Sequence, residues 1–310
     1  MSSSRRLGVD VGGTKCLAVV IDGEGTVISE QRRPTPMAPD LVLDTVAELA
    51  QAMRPWDSAG VGMPGLVTRN GVLRAAPNLV GIDDLKVGEL LGERLDCLVH
   101  VDSDATCAAV AEWKFGHGRG VDDFVMVTLG TGIGGGIVAG GALIRGANGF
   151  TGEIGHMVVD PDGPPCPCGK RGCWERYASG SGLAWLASRA NGGSGVTRIV
   201  ELAGGDSSMV RGEHLSAAAR EGDAAALAVV DEYCRWVALG LVNLTNILDP
   251  ALFVLGGGLA DAADVFLQPI QRWFGELLYA PDRRRHPDLT FAQFGERAGA
   301  IGAALLAAVH

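Results

Sequence analysis

The sequence predicts an α/β protein with mixed sheets. Short apolar runs with the composition of strands alternate with longer segments of helical periodicity. Two meanders, one at the N-terminus and one after residue 120, each lead an apolar strand into a Gly/Thr-rich turn and return a second apolar strand. Because helices connect parallel strands and tight turns connect antiparallel ones, both kinds of pairing are expected in the same protein.

The first half of the chain begins with a three-stranded meander. The turn Asp22-Gly-Glu-Gly25 separates the second strand from the third. Asp40 is the predicted N-cap of the first helix, and Pro64-Gly65 stops the strand that follows this helix. The predicted strands cover residues 7–11, 16–21, 27–29, 59–63 and 98–101, and the predicted helices cover 40–53, 85–95 and 104–115.

The second half repeats the meander and then becomes mainly helical. A glycine-rich stretch at residues 116–120 marks a boundary, residues 148–172 form a loop-rich region, and 191–195 are a predicted loop. The predicted strands cover residues 123–129, 137–139, 251–255 and 290–294, and the predicted helices cover 174–190, 214–221, 223–248, 261–278 and 299–309. The repeated meander suggests an internal duplication, although Gly-Thr-Gly is also common in unrelated hairpins.

Composition excludes several classes of protein. Of the 310 residues, 47% are hydrophobic and 20% charged, which is typical of a globular chain with a sizeable core. A net charge of −10 argues against a general nucleic-acid binder. No window holds the ~18 consecutive apolar residues of a membrane span, and the N-terminus lacks the apolar region of a secretory signal. Seven cysteines, an odd number, do not form a disulfide framework, so we expect the reducing cytoplasm.

Glycine is unusually abundant and clustered. It accounts for 46 of the 310 residues, about 15%, against a usual share of about 7%. Three clusters stand at predicted strand ends, where bare backbone N–H groups can approach a phosphate or a nucleotide. A plain hairpin is the alternative for the first cluster taken alone. The spacing is not that of a Walker A loop. The candidate nucleotide-binding residues are Asp10, Gly12, Gly13, Thr14 and Lys15, then Gly130, Thr131 and Gly132, and finally Gly256, Gly257 and Gly258.

A second constellation has the composition of a metal site. His156 is followed by Cys166-Pro-Cys168 and by Cys173. Three thiolates and one imidazole suit a closed, structural zinc site that would hold an otherwise irregular loop. Three ordinary core cysteines are the alternative, which the neighbouring proline, glycines and charged residues disfavour.

Carboxylates supply the remaining candidates. Asp102-Ser103-Asp104 lies between a predicted strand and a helix, where a carboxylate can serve catalysis or simply cap the helix. Exposed glutamates are usually solvated surface residues, but Glu153 and Glu175 flank the cysteine loop, which makes them better candidates than usual for binding the hydroxyls of a polyol.

These motifs together resemble the ROK family of bacterial sugar kinases and repressors, in particular its glucokinases. The resemblance runs from Gly8 to about Ala307. It includes two glycine motifs, Asp10-Val-Gly-Gly-Thr-Lys15 and Thr128-Leu-Gly-Thr-Gly-Ile-Gly-Gly135. It also includes Glu153-Ile-Gly-His156 and Cys166-Pro-Cys-Gly-Lys-Arg-Gly-Cys-Trp-Glu175.

The resemblance implies an actin/hexokinase-like fold, a duplicated ribonuclease H-like arrangement of two α/β domains that enclose a cleft. We expect a small domain at residues 1–115 with a closing helix at 296–310, and a large domain with the zinc loop at 116–295. The resemblance further implies ATP, Mg²⁺, structural Zn²⁺ and a homodimer or homotetramer.

The resemblance also implies roles for individual residues. Asp104 matches the catalytic base that accepts a proton from a sugar hydroxyl, usually O6 of a hexose. The implied sugar contacts are Gly65, Asn78, Ser103, Asp104, Glu153, His156 and Glu175. His156 would serve both the metal and the sugar.

The chain departs from the family pattern at two places. The usual Glu-Asn-Asp-Ala-Asn segment is Asp102-Ser-Asp-Ala-Thr106, so the asparagine that bonds ring hydroxyls is replaced by the shorter Ser103. A tryptophan usual after Ala-Pro-Asn is also absent here. We therefore expect a hexose 6-kinase, glucokinase by default, with an amino-sugar kinase for kanosamine, glucosamine or N-acetylmannosamine as the alternative. A sugar-sensing repressor is disfavoured by the charge and by the early first strand.

Overall fold

The computed structural model describes residues 4–76, 82, 84–190 and 198–307. The chain divides into two compact units. The first unit contains residues 1–126, 135–152 and 292–310, and the second contains residues 127–134 and 153–291. In the described ranges, no helix combines the length and the apolar composition needed to cross a bilayer.

The first sheet has five strands in the order β3-β2-β1-β4-β7. Strand β1 pairs antiparallel with β2 and parallel with β4, and β4 pairs parallel with β7. The N-terminal meander is therefore confirmed. The valines and isoleucines of β1 and β2 are buried, as expected for inner strands. The strands are β1 (Arg6–Val11), β2 (Lys15–Ile21), β3 (Val27–Pro34), β4 (Ser58–Met63) and β7 (Val99–Ser103).

Among the described residues, four helices belong to the first unit. Helix α10 packs on α3 and on the first sheet at unusually close range, because Gly8 and Gly302 have no side chain. A β-carbon on Gly8 would overlap the carbonyl oxygen of Ala300, and one on Gly302 would overlap that of Cys107. The helices are α1 (Pro39–Ala52), α2 (Val87–Leu95), α3 (Asp104–Phe115) and α10 (Ala298–Leu306), and a small ribbon is formed by β5 (Leu66–Val67) and β6 (Leu73–Ala75).

The second sheet also has five strands, in the order β10-β9-β8-β11-β12. The two sheets have the same strand order. In each, three strands that are consecutive in the chain lie side by side, β1–β3 in the first sheet and β8–β10 in the second. The two later strands, β4 and β7 or β11 and β12, then continue the sheet from the other side of β1 or β8. The shared order supports the duplication and confirms the predicted fold class. The strands are β8 (Phe124–Leu129), β9 (Ile133–Ala139), β10 (Ala142–Ile144), β11 (Leu252–Gly256) and β12 (Asp288–Phe291).

The second unit is mainly helical. Its longest helix, α8, begins after Asp223, whose carboxylate accepts the N–H of Ala226 at 2.8 Å. It ends at Asp249, which is left-handed and precedes Pro250. The helices are α4 (Glu175–Ala178), α5 (Gly180–Ala190), α6 (Arg198–Leu202), α7 (Gly212–Arg220), α8 (Ala224–Leu248) and α9 (Ala263–Leu277).

Several predicted boundaries in the first half are wrong. Asp40 is not the N-cap of α1; Ala38 is, because Pro39 already opens the helix. Leu98 is 69% exposed and precedes its strand, which begins at Val99. Leu85 forms a bridge with Leu73 in place of opening α2. The short ribbon β5–β6 lacked a sequence signal.

Boundaries in the second half differ for similar reasons. The single helix predicted at 174–190 is two helices, because the Ser179 hydroxyl accepts the N–H of Gly182 and starts a new helix there. A 3-10 turn precedes α9, so that helix begins at Ala263. The strand predicted at 290–294 is Asp288–Phe291, since the N–H groups of Gln293 and Phe294 bond to the Glu112 carboxylate. The predicted loop at 191–195 lies outside the described residues.

Candidate active site

Asp104 is the first residue of α3, directly after β7. Its Oδ1 accepts the N–H of Ala105 at 2.7 Å and lies 3.4 Å from the hydroxyl oxygen of Ser103. Burial raises the pKa of Asp104 to about 6, although both hydrogen bonds oppose the rise. Near neutral pH this carboxylate can therefore accept a proton and later release it.

Asp10, in β1, is a second carboxylate of the first unit with a perturbed pKa. Its Oδ1 is buried and has no hydrogen-bond partner among the described residues. Burial raises the pKa of Asp10 to about 8, with a further rise from Asp104 and an opposing effect from Lys15. A buried carboxylate oxygen without a donor is suited to a cation.

The first glycine turn joins β1 to β2. The N–H of Gly12 donates to the carbonyl of Lys15 at 2.9 Å, and the hydroxyl of Thr35 donates to the carbonyl of Gly12 at 2.7 Å. Gly13 and Thr14 are exposed at the tip. The ammonium of Lys15 forms an ion pair with Glu296. The turn is thus fixed from both sides while its tip stays open to a ligand.

The second and third glycine turns lie together in the second unit. Gly257 has a φ of +96°, and a β-carbon there would stand 2.6 Å from the carbonyl carbon of Leu129, directly before Gly130. Gly130 accepts the N–H of Gly180 at 2.7 Å, at the start of α5. These two turns contain the predicted nucleotide-binding residues, which are Gly130, Thr131 and Gly132 in the second turn and Gly256, Gly257 and Gly258 in the third.

The predicted metal ligands converge. One donor atom from each of His156, Cys166, Cys168 and Cys173 lies within 4.8 Å of the others. The sulfurs of Cys168 and Cys173 are 3.6 Å apart, and Cys166 Sγ is 3.9 Å from His156 Nδ1. The loop is shaped by the N–H of Cys166, which donates to the Lys170 carbonyl at 2.8 Å. These four residues can hold a metal ion.

Two glutamates lie against the histidine of this cluster. Glu153 Oε2 is 3.7 Å from His156 Nε2, and Glu175 Oε1 is 3.9 Å from Nδ1. Glu175 Oε1 also accepts from the Cys166 thiol at 3.0 Å. A β-carbon on Gly132 would be 2.8 Å from Glu175 Oε2, so Glu175 connects the cysteine loop with the second glycine turn.

The other predicted sugar contacts lie in the first unit. Gly65 has a φ of +102° and packs so closely on Ala75 that a side chain there would overlap the Ala75 carbonyl. Ser103 is the N-cap residue of α3. Asn78 lies outside the described residues.

Sequence reasoning missed two buried acidic contacts. The Arg145 guanidinium bonds to Asp102, a residue considered as a base or a cap and not as an ion-pair partner. Glu112, fully buried in α3, accepts the N–H groups of His117, Gln293 and Phe294 at 3.1, 2.7 and 3.0 Å. The one available signal was an acidic residue inside an apolar helix.

Comparison with known proteins decides the family. The sequence model of the ROK family matches residues 6–309. The chain belongs to the ROK family. The resemblance seen in the motifs is thereby confirmed.

Members of the ROK family with assigned activities are similar along nearly the whole chain. A glucokinase of Streptomyces coelicolor is 39% identical over 307 residues, covering 97% of this chain and 96% of the relative. An N-acetylmannosamine kinase of Escherichia coli O157:H7 is 31% identical, with 97% of each chain covered. A crystal structure of a ROK family glucokinase from Streptomyces griseus, in complex with glucose and AMPPNP, is 36% identical with a TM-score of 0.91, covering 98% of this chain and 99% of the other.

Proposed function

We propose that this ROK family chain is an ATP-dependent hexose kinase that transfers the γ-phosphate of ATP to the 6-hydroxyl of glucose. The observation that carries the proposal is the carboxylate of Asp104 at the first turn of α3, with one oxygen held by the Ala105 N–H. Similarity to glucokinases and to a structure holding glucose and AMPPNP supports it.

Asp104 serves as the base in this proposal. As the sugar oxygen bonds to the γ-phosphorus, the bond from that phosphorus to the β–γ bridging oxygen breaks and ADP leaves. The hydroxyl proton passes to the Asp104 carboxylate, whose raised pKa makes it a better acceptor than an ordinary aspartate. Most of the rate enhancement in such transfers comes from positioning and charge stabilisation.

The glycine turns bind the nucleotide in this proposal. Backbone N–H groups at the exposed tip of Gly13 and Thr14, with the Lys15 ammonium, suit phosphate oxygens. The paired turns at Gly130–132 and Gly256–258 leave bare backbone against which a phosphate or a ribose can lie.

Asp10 is the proposed magnesium residue. Its buried Oδ1, which lacks a donor among the described residues, fits a hard cation. Magnesium, when bound, neutralises part of the triphosphate charge.

We assign structural zinc to His156, Cys166, Cys168 and Cys173. Around zinc, two sulfurs are expected about 3.8 Å apart and a sulfur and a nitrogen about 3.6 Å apart. The separations of 3.6 Å between Cys168 and Cys173 and 3.9 Å between Cys166 and His156 fit this donor set. The metal would fix the loop from which Glu153, His156 and Glu175 present polar atoms to a sugar.

The sugar is bound, in this proposal, by Gly65, Asn78, Ser103, Asp104, Glu153, His156 and Glu175. Ser103 favours the alternative of an amino-sugar kinase, because its one hydroxyl replaces an amide with two donors. An N-acetyl-D-glucosamine kinase of Salmonella heidelberg is 34% identical with 96% of this chain covered, so that class is close enough to be tested directly.

The test is release of ADP from ATP·Mg²⁺ across glucose, mannose, fructose, glucosamine, kanosamine and N-acetylmannosamine, with Asp104→Asn as the blank. The highest kcat/KM with glucose supports the glucokinase. A clear preference for an amino sugar replaces it with the alternative, and no turnover of any sugar contradicts both.

Three further expectations belong to this proposal. We infer a cytoplasmic enzyme, which the seven cysteines without a disulfide partner support. We propose a homodimer or homotetramer, to be tested by light scattering in solution. We also propose the domain boundaries predicted at residues 115/116 and 295/296, to be tested by limited proteolysis.

A further inference from the structure

Arg145 makes a two-pronged ion pair with the carboxylate that lies two residues before the proposed base. Its Nε and Nη2 are 2.9 and 2.8 Å from Oδ2 of Asp102. Asp102 lies near the end of β7 and is only 5% exposed. Arg145 follows β10 and is separated from Asp102 by 43 residues of sequence. The pair therefore depends on the fold.

The other oxygen of the same carboxylate holds the beginning of α3. Oδ1 of Asp102 accepts the backbone N–H of Ser103, the N-cap residue, at 2.9 Å. The Ser103 hydroxyl and the Ala105 N–H in turn face Oδ1 of Asp104, at 3.4 and 2.7 Å. A continuous series of polar contacts thus runs from Arg145 to Asp104.

Arg145 is itself held in place. The Arg145 carbonyl accepts the N–H of Thr151 at 3.4 Å, and the Arg69 guanidinium bonds to the carbonyl of the next residue, Gly146. A guanidinium with a fixed backbone and a two-pronged contact orients its carboxylate more strictly than a mobile surface lysine does.

Asp102 is ionised in this arrangement. Burial works to raise its pKa, but nearby His100, whose Nε2 is 4.0 Å from Oδ2, the charge of Arg145 and the Ser103 N–H outweigh burial and hold the pKa below the usual value. Removing one partner of a buried ion pair leaves a charge that must find new contacts, and the surrounding segment then moves. Here the adjoining segment is Ser103 and Asp104.

We propose that Arg145 is a positioning residue for phosphoryl transfer, which acts through Asp102 to fix the direction in which Asp104 faces the sugar hydroxyl. The inference rests on the proposed function, because Asp104 is the base in it. Loss of this positioning should lower kcat more than it raises the KM for sugar, since a base displaced by about 1 Å costs up to about 100-fold in rate.

The experiment compares Arg145→Ala and Arg145→Lys with Arg94→Ala. Arg94 is a matched control, because it pairs with Asp44 at 3.1 Å and its side chain is 31% exposed, against 29% for Arg145. For each variant we would measure kcat, the KM values for sugar and ATP, the pH profile of kcat, and Tm. Arg145→Ala would also be assayed with added guanidinium chloride at a non-denaturing concentration.

We expect Arg145→Ala to lose about 10- to 100-fold in kcat with a KM for sugar within about threefold of the wild type. Guanidinium should restore part of kcat to Arg145→Ala and none to Arg94→Ala. Arg145→Lys, which keeps the charge and loses the fork, should lie between. In both Arg145 variants the acid limb of the pH profile should move to higher pH, because a displaced Asp104 loses hydrogen bonds that hold its pKa down.

A kcat for Arg145→Ala within about twofold of the wild type would overturn the inference, as would an equal loss in Arg94→Ala. If Arg145→Ala does not fold, Arg145→Lys decides. An unshifted pH profile with wild-type kcat contradicts the inference, and a reduced kcat with a displaced acid limb supports it. An active Asp104→Asn contradicts the proposed function itself, whereas an inactive Asp104→Asn beside an unaffected Arg145→Ala contradicts this inference alone.

Discussion

Asp10 and Asp104 approach each other across Gly62. A β-carbon on Gly62 would lie 3.4 Å from Oδ1 of Asp10 and 3.3 Å from Cα of Asp104. The strand order β1-β4-β7 explains this, because Gly62 in β4 pairs with Asp10 on one side and with Asp102 on the other. A residue without a side chain in the middle strand leaves room for two carboxylates, and the charge of Asp104 disfavours ionisation of Asp10.

Replacing the proposed base tests the chemistry most directly. Asp104→Asn should lower kcat by about 10²- to 10⁴-fold, because the amide cannot accept the hydroxyl proton. Its side-chain oxygen can still accept the Ala105 N–H, so the fold and the sugar affinity should be retained. Steady-state kinetics and circular dichroism check this. Asp44→Asn, a change at an exposed residue, is the control, and near-normal turnover by Asp104→Asn would refute the assignment.

The pH dependence of kcat follows from the pKa of the same group. Asp104 must be ionised to accept a proton, and burial raises its pKa to about 6 from the usual 3.8. Activity should therefore be lost as the pH falls through about 6. The measurement is kcat at saturating sugar and ATP across this range, with the coupling enzymes assayed separately. An acid limb near pH 4 would show an aspartate with an ordinary pKa.

Removal of the metal ligands should affect sugar binding more than nucleotide binding. Cys168→Ser removes one ligand, and chelation removes the ion, from the cluster next to Glu153 and Glu175, so we expect loss of bound metal, a raised KM for sugar and a lower Tm. Cys97→Ser, a cysteine outside the cluster, is the control. Metal analysis that finds no zinc in fully active protein would contradict the assignment.

The Ser103 position should influence which sugar is preferred. Ser103→Asn introduces a second donor, so we expect a lower KM for glucose with little change in the KM for ATP. The ratio of kcat/KM for glucose to that for glucosamine is the quantity to measure. A KM for glucose that stays the same or rises would show that Ser103 does not contact the sugar.

Packing beside the cysteine loop can be tested through stability. A β-carbon on Gly240 in α8 would overlap the ring of Trp174, which is fully buried and donates to the Trp236 carbonyl at 2.7 Å. Gly240→Ala should therefore lower the free energy of unfolding by about 1–3 kcal/mol. Gly275→Ala in α9 meets no atom within 4 Å, and it should raise this free energy by about 0.4–1 kcal/mol. Urea unfolding of both variants gives the comparison, and equal effects would contradict the packing argument.

Much of the fold and of the candidate site could be predicted from the sequence, because the relevant signals are local. Apolar runs between glycine turns predicted both meanders, and helix α3 was predicted with the bounds Asp104–Phe115 that it has. The four metal-ligand candidates lie within one short stretch of chain, where residue type and spacing already limit their chemistry. A position after a buried strand made Asp102 and Asp104 candidates for the same reason, and the family resemblance then selected Asp104 as the base.

Tertiary structure decided the contacts between distant residues. Arg145 meets Asp102 across 43 residues, Glu112 meets Gln293 across 181, and Lys15 meets Glu296 across 281. The sequence offers 26 basic and 36 acidic residues, so no local pattern selects these pairs. For Asp102 and Glu112 burial selects the partner, because a charge taken out of water must find one. The Lys15–Glu296 pair is exposed, and the packing of strands and helices alone brings its two ends together.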